Sequence, residues 1–262
     1  MPDPIAAARD RRLMAGALVL ARRGLGRTAP NPAVGAVLYR PDLGEIVGRG
    51  WTQPGGRPHA EPEAITRAGA LARGATLYVT LEPCAHHGRT PPCTAAIIAA
   101  GISRVVYGIT DPDPRVSRQG LRQLEEAGIE VARSALVEEA HQVTLGHVLR
   151  VSERRPFVQL KIAVDAAGNV PTGRDGAPVW ATGPAARARG HLLRAEADAI
   201  LVGRGTAMTD NPSLDCRLPG LEDRSPLRVV LSASGRLAGD LRLFARDRRA
   251  APLILVGRQA TA

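Results

Sequence analysis

Thr76-Leu77-Tyr78-Val79-Thr80-Leu81 is a run of β-branched, aromatic and aliphatic residues that reads as a buried strand, and it leads directly into Glu82-Pro83-Cys84. A strand of this kind delivers the residues after it to the carboxyl end of a sheet, where α/β folds keep their ligand crevices. Upstream, Pro58-His59-Ala60-Glu61-Pro62-Glu63-Ala64-Ile65 reads as the first turn of a helix. Proline is tolerated there, and acidic residues oppose the positive end of the helix dipole. Downstream, Pro91-Pro92-Cys93 precedes a helix expected from Thr94 to Ala100. One imidazole and two thiols are thereby carried to the same crevice.

His59, Cys84 and Cys93 are donors that suit zinc, which in catalytic sites takes three protein ligands and keeps one position open. Two thiolates offset the charge of the cation, so water is acidified less than at an all-histidine site and a nearby base becomes necessary. Glu61 is that base. Two core cysteines and a surface histidine are the plain packing alternative; the prolines and the glutamate, in this order, favour the metal. The set resembles zinc nucleobase deaminases, in which a glutamate close behind the histidine shuttles protons without ligating. Those enzymes commonly place two residues between their cysteines, whereas Ala85-His86-His87-Gly88-Arg89-Thr90-Pro91-Pro92 lies between them here. His86, His87 and Arg89 are suited to holding an anionic group beside the metal, arginine through its bidentate fork. Alternatively the histidines face solvent, or one supplies a fourth ligand.

Of 262 residues 44% are hydrophobic, ample for packed cores in one or two domains. Two are expected, residues 1–150 and 156–262, joined across the polar, proline-ended stretch Glu153-Arg154-Arg155-Pro156. No apolar run is long enough to span a bilayer, and Met1-Pro2-Asp3 opens no basic-then-apolar signal, so a cytoplasmic protein without membrane partners is expected. Three cysteines, two of them assigned to metal, fit a reducing compartment, with Cys216 a plain buried or half-buried residue. The net charge of +10 raises nucleic-acid binding as a reading, and a zinc deaminase acting on tRNA or another nucleic acid is the alternative function. Scattered arginines and an aromatic content of 3% argue against it, since little is left for stacking bases, and no nucleic-acid partner is expected. A non-enzymatic structural zinc module is the third reading.

Strand and helix patterns alternate through the first half. Asp3 caps a helix with Pro4 at its first position and Leu13, Ala17, Leu20 and Ala21 on its buried face. Strands are expected at 34–39 and 46–50 around the turn Pro41-Asp42-Leu43-Gly44, then the two metal helices and the 76–81 strand, a strand at 104–108 and a helix at 120–127. The alternation implies a three-layer α/β sandwich. Later, Phe157-Val158-Gln159-Leu160-Lys161-Ile162-Ala163-Val164 reads as a strand. It carries the sole lysine among 35 basic residues. An ammonium kept where every other cation is arginine suggests a site that needs a compact point charge.

Pro30-Asn31-Pro32-x-Val34-Gly35, His59-Ala60-Glu61 and Leu81-Glu82-Pro83-Cys84-x-His86-His87-Gly88-Arg89-Thr90-Pro91-Pro92-Cys93 together resemble the RibD family of bifunctional riboflavin biosynthesis proteins. The likeness continues through Asp111-Pro112-x-Pro114 and Gly120-x-x-x-Leu124-x-x-Ala127-Gly128-Ile129. It implies an α/β chain, with an N-terminal cytidine-deaminase-like α/β/α sandwich and a partial C-terminal dihydrofolate-reductase-like α/β domain. It further implies zinc-dependent deamination of 2,5-diamino-6-ribosylamino-4(3H)-pyrimidinone 5′-phosphate, a phosphorylated pyrimidine, with Glu61 relaying protons, Asn31 in the substrate pocket, and a homo-oligomer. In the second half, Trp180-Ala181-Thr182-Gly183-Pro184-x-x-Arg187, Leu192-Leu193-Arg194-Ala195-Glu196, Val202-Gly203-x-Gly205-Thr206 and Asp210-Asn211-Pro212-x-Leu214 resemble the family's reductase domain, in which NADPH reduces the ribosyl group. The resemblance places NADP near Ala163, Trp180, Thr206 and Asp210, and substrate near Lys161, Pro178, Arg194, Leu214 and Arg217. The pattern departs at Asp165-Ala166-Ala167-Gly168, Asp210-Asn211-Pro212 and Ser232-Ala233, and Ala262 precedes the Glu-Gly-Gly-type segment that receives the pyrophosphate, so the reductase half is expected to be shortened and divergent.

Overall fold

The computed structural model describes residues 3–88, 90–113, 117–171, 182–245 and 250–257. The chain divides into two compact units, Met1–Val158 and Gln159–Ala262. In the first, α1 (Pro4–Arg22) starts on Asp3, whose carboxylate accepts the Ile5 N–H at 3.0 Å. Its Leu13, Met14, Ala17, Leu18, Leu20 and Ala21 are buried, one face of a 3.6-residue period. An antiparallel hairpin of β1 (Gly35–Arg40) and β2 (Glu45–Trp51) comes next, then α2 (Ala60–Ala68), β3 (Thr76–Leu81), α3 (Cys93–Ala99), β4 (Arg104–Ile109), α4 (Gln119–Glu126), β5 (Glu130–Arg133) and α5 (Val137–Ser152).

The sheet order is β2-β1-β3-β4-β5, antiparallel on both sides of β1 and parallel from β3 to β5. Every residue of β3 is buried, as a central strand covered on both faces requires. Helices α1 and α5 pack together, and α2, α3 and α4 pack in series, giving the α/β/α sandwich expected from the alternation. Glycines on the β1–β2 hairpin let helices approach the sheet closely. A Cβ on Gly35 would lie 1.9 Å from the Ala17 carbonyl oxygen, and one on Gly50 would lie 2.1 Å from that of Ala60. The second contact seats the first turn of α2, and with it His59 and Glu61. Beside the inner strands β3 and β4, Asp10 accepts from Tyr78 Oη at 2.6 Å and from Arg104 at 2.8 Å, and Arg104 also reaches Glu130 at 2.8 Å. Hydrogen bonds to charged groups of this kind contribute about 1.5–3 kcal/mol each.

The second unit contains α6 (Pro184–Ala195), β6 (Ala199–Gly203), α7 (Arg204–Asp210), β7 (Leu227–Ser232) and β8 (Leu253–Val256). Its parallel sheet runs β6-β7-β8 and packs Val230 with Ala207, Leu241 and Leu243. The strand expected at 157–164 does not form: these residues join no ladder, and Leu160 is 84% exposed. Apolar, β-branched composition records fitness for a pleated surface, and it becomes a strand only where a neighbouring edge accepts its N–H and C=O groups. Among the described residues no helix is long and apolar enough to cross a membrane.

Candidate active site

Three secondary-structure ends converge in the first unit. His59 is the N-cap of α2, Cys84 lies just past the end of β3, and Cys93 opens α3. Their donor atoms lie within 4.8 Å of one another. His59 Nδ1 is 3.3 Å from Cys93 Sγ and 3.7 Å from Cys84 Sγ, and the Cys93 N–H donates to Cys84 Sγ at 3.3 Å. Ligands at zinc bond lengths on a tetrahedron stand about 3.3–3.8 Å apart, so the two imidazole-to-sulfur separations are those a single ion requires. The imidazole would ligate through Nδ1.

Without metal the three groups share protons, which a cation would have to displace from Cys93 and His59. Cys84 is held down to about 4, chiefly by the hydrogen bond from the Cys93 thiol and then by His59. Cys93, which gives that hydrogen bond and is buried, is pushed well up, and His59 is raised by its contact with Cys84. Glu61 is 4% exposed at the second position of α2, and burial together with the neighbouring Cys84 charge pushes its carboxyl up to about 7. In the metal-free site this carboxyl thus lies near neutrality, the range in which a group can take and return a proton.

His59, Cys84 and Glu61 line a cleft of about 540 Å3. Asn31 and His86, both expected at the substrate, line it. Asn31 is fixed by donating from Nδ2 to the Gly56 carbonyl at 2.8 Å, and Gly56, at φ 84°, leaves no room for a Cβ beside it. Arg89 lies outside the described residues. Arg57, Asp111, Asp113, His147, Arg150 and Arg154 also line the cleft, and none was singled out for it from sequence. Arg57 hydrogen-bonds Thr90, and Arg150 donates to the Pro30 carbonyl at 2.9 Å. The Asp111-Pro112 motif was the one sequence signal for these residues. A larger groove of about 690 Å3, lined by Arg12, Val19, Tyr39 and Ile46 among others, contains none of the metal-ligating residues, so the chemistry belongs to the smaller cleft.

In the second unit, Arg194 and Arg217 are brought together at His191, whose Nδ1 lies 3.1 Å from Arg194 Nη1, 3.2 Å from the Arg217 backbone nitrogen and 3.2 Å from the Asp215 carbonyl oxygen. Burial and the two arginine charges lower the His191 value, which favours the neutral ring. Leu214 is buried at φ 56°, and Thr206 and Asp210 stand four residues apart on exposed turns of α7. Lys161 is exposed, with Cε 3.9 Å from where a Gly190 Cβ would stand, and Ala163 is half-buried. Pro178 and Trp180 lie outside the described residues. Where the pattern departs, the replacements serve local turns: Asp165 accepts the N–H groups of Ala167 and Asn169 at 2.9 Å, and Ser232 Oγ accepts that of Gly235 at 3.0 Å. Cys216 is buried, as expected.

Residues 7–109 match the cytidine and deoxycytidylate deaminase zinc-binding region, and residues 156–261 match the RibD C-terminal domain. Riboflavin biosynthesis protein RibD of Escherichia coli (strain K12) is 43% identical over 239 residues, which cover 87% of this chain and 64% of that protein. Its counterpart in Aquifex aeolicus is 45% identical over 222 residues, 85% of this chain and 61% of the relative. The chain therefore spans a little under two thirds of the curated relatives it matches. Among solved structures, a diaminohydroxyphosphoribosylaminopyrimidine deaminase/5-amino-6-(5-phosphoribosylamino)uracil reductase from Thermotoga maritima superposes with a TM-score of 0.86 at 40% identity, covering 98% of this chain and 72% of that one. Acinetobacter baumannii RibD gives 0.83 at 35% identity, covering 97% and 71%. With a His/Cys/Cys cluster at the deaminase position and both family domains in order, the chain belongs to the RibD family of riboflavin biosynthesis proteins.

Proposed function

We propose that the first unit catalyses zinc-dependent hydrolytic deamination of 2,5-diamino-6-ribosylamino-4(3H)-pyrimidinone 5′-phosphate in riboflavin biosynthesis, and that the second takes part in NADPH-dependent reduction of the ribosyl group of the product. The carrying observation is the clustering of His59, Cys84 and Cys93, with His59, Cys84 and the buried Glu61 lining one cleft. His59, Cys84 and Cys93 would hold zinc, which when bound supplies Lewis-acid polarisation. Glu61 takes a proton from the attacking water and returns it to the departing amino nitrogen, so that water and the amine become a ring carbonyl and ammonia. Asn31, fixed by Gly56, faces the ring, and the cationic groups Arg57 and Arg150 offer partners for the phosphate. The reductase reading draws on the match at 156–261 and on the Arg194–His191–Arg217 group. The substrate is a small molecule, the protein is cytoplasmic, it works as a homo-oligomer, and nucleic acid is no partner.

One assay scores both halves: ammonia release from the diaminopyrimidine ribosyl phosphate, run with and without NADPH while nicotinamide absorbance is followed. Ammonia is expected in both runs, with NADPH consumption only after deamination. No ammonia from zinc-loaded protein overturns the deaminase reading, and ammonia without NADPH consumption overturns the reductase one.

A further inference from the structure

Glu82 closes β3 and is 4% exposed, yet it is no member of the metal-donor cluster two residues away. Its own N–H donates to the Ile109 carbonyl at 2.9 Å, extending the β3–β4 pairing by one step. Its carboxylate accepts three backbone N–H groups: Asp111 at 3.1 Å and Arg118 at 3.0 Å on Oε2, and Gly120 at 3.1 Å on Oε1. The cost of burying a carboxylate is offset by such a set of donors. Arg118 is the N-cap residue of α4, at φ 63° and with no side-chain cap of its own. Glu82 therefore acts as the missing cap from a distant strand, placed where the helix dipole favours a negative charge.

The bonds run onward into the cleft. Asp111, fixed by Glu82, accepts the Asp113 N–H on Oδ1 at 2.8 Å, and the Asp113 carbonyl accepts the Ser117 N–H at 2.8 Å. Asp111 and Asp113 both line the cleft, as Glu82 does. Behind them Gly120 lies so close to the turn that a Cβ would stand 2.0 Å from the Pro83 carbonyl oxygen. One turn, Glu82-Pro83-Cys84, thus carries a metal ligand on one side and holds the backbone at Asp111, Arg118 and Gly120 on the other.

We infer that Glu82 is a positioning residue: by clamping the backbone at Asp111, Arg118 and Gly120 it fixes the two cleft carboxylates and so sets substrate affinity, without acting on the metal. The kinetic part rests on the proposed deaminase function; the clamp itself does not. The test is Glu82→Gln in the zinc-loaded full chain. The amide keeps the volume and one acceptor but aims an NH2 at backbone donors, leaving at least one of the three N–H groups unpaired. Amide hydrogen exchange at Asp111, Arg118 and Gly120 is expected to quicken about tenfold or more, with β3 and α3 protection and zinc content unchanged. KM for the diaminopyrimidine ribosyl phosphate is expected to rise about tenfold while kcat stays within about threefold. Glu82→Asp, whose shorter arm keeps the charge, should fall between; it also carries the comparison if the glutamine variant does not fold. Unchanged exchange protection overturns the clamp. Lower thermal stability with wild-type KM overturns the kinetic role, as does parallel loss of zinc and kcat. Should the wild type release no ammonia, the deaminase reading fails by itself and the exchange data still judge the clamp.

Discussion

Replacing Glu61 by glutamine separates proton relay from everything else the site does. The amide has nearly the same volume at a position only 4% exposed, so packing around it is preserved, and it is not among the metal donors. It cannot take or return a proton, and deamination is expected to fall by about 10² to 10⁴, the span for losing a general acid–base group. That corresponds to about 3–5 kcal/mol of transition-state free energy. Stability should move the other way in metal-free protein. The Glu61 carboxyl is pushed from its ordinary 4.5 up to about 7, first by burial. Its folded form therefore holds the proton more tightly than the unfolded chain does. The stability this lends is complete below the ordinary value and is lost as pH rises through 7. At pH 8 the ionised carboxylate burdens the metal-free fold, by about 3 kcal/mol at most, and glutamine removes that burden. The assays are ammonia release, zinc content by mass spectrometry, and denaturant unfolding of the stripped protein at about pH 5 and 8. Wild-type turnover in the variant would refute the relay, and loss of zinc along with turnover would show that Glu61 supports the metal instead.

Zinc uptake by stripped protein should expel protons, because His59 and Cys93 are both raised and must give theirs up, whereas Cys84 at about 4 is already a thiolate. Apparent zinc affinity, measured by chelator competition, is expected to drop steadily from pH 8 to 6; a flat profile would contradict this. Asp10→Asn should cost about 1.5–3 kcal/mol in denaturant unfolding by weakening the bonds from Arg104 and Tyr78. Burial alone would raise Asp10, but those hydrogen bonds outweigh it and hold the carboxyl below 3.8, so the wild-type advantage is present above about pH 4 and vanishes as pH falls through the lowered value. An advantage that persists in strong acid would refute this. Gly50→Ala brings a methyl to 2.1 Å from the Ala60 carbonyl and should destabilise by about 1–3 kcal/mol or more while weakening zinc retention, checked by unfolding and metal analysis. Binding of the phosphorylated substrate should weaken only shallowly with salt, and a steep log-log slope for added RNA would favour the nucleic-acid alternative.

The elements around the metal were legible because their signals are local. The β-branched, aromatic and aliphatic run at 76–81, the proline and acidic residues at the start of α2 and the proline pair before Cys93 each state their structure within a few residues, and the observed bounds agree within about two residues. What escaped depends on the tertiary fold. β5 is a four-residue edge strand with no buried residue, and α5 has its apolar stripe interrupted by Gly146 and by Thr144, whose hydroxyl bonds back to Ala140 at 2.7 Å. His147, Arg150 and Arg154 reach the cleft only because α5 packs back on α1, a placement no spacing in the sequence encodes. Glu82 was visible as part of a motif, but three N–H partners from 29 to 38 residues away give it its role. The error at 157–164 came from treating composition as sufficient where a pairing edge was also needed.

The most direct test is turnover as a function of zinc occupancy. Protein stripped by chelator and reloaded stepwise should release ammonia from the diaminopyrimidine ribosyl phosphate in proportion to bound zinc, levelling at one ion per chain, and Cys84→Ser or Cys93→Ser should abolish the response. Ammonia release that survives stripping, or a fully zinc-loaded chain that releases none, would contradict a deaminase built on His59, Cys84 and Cys93.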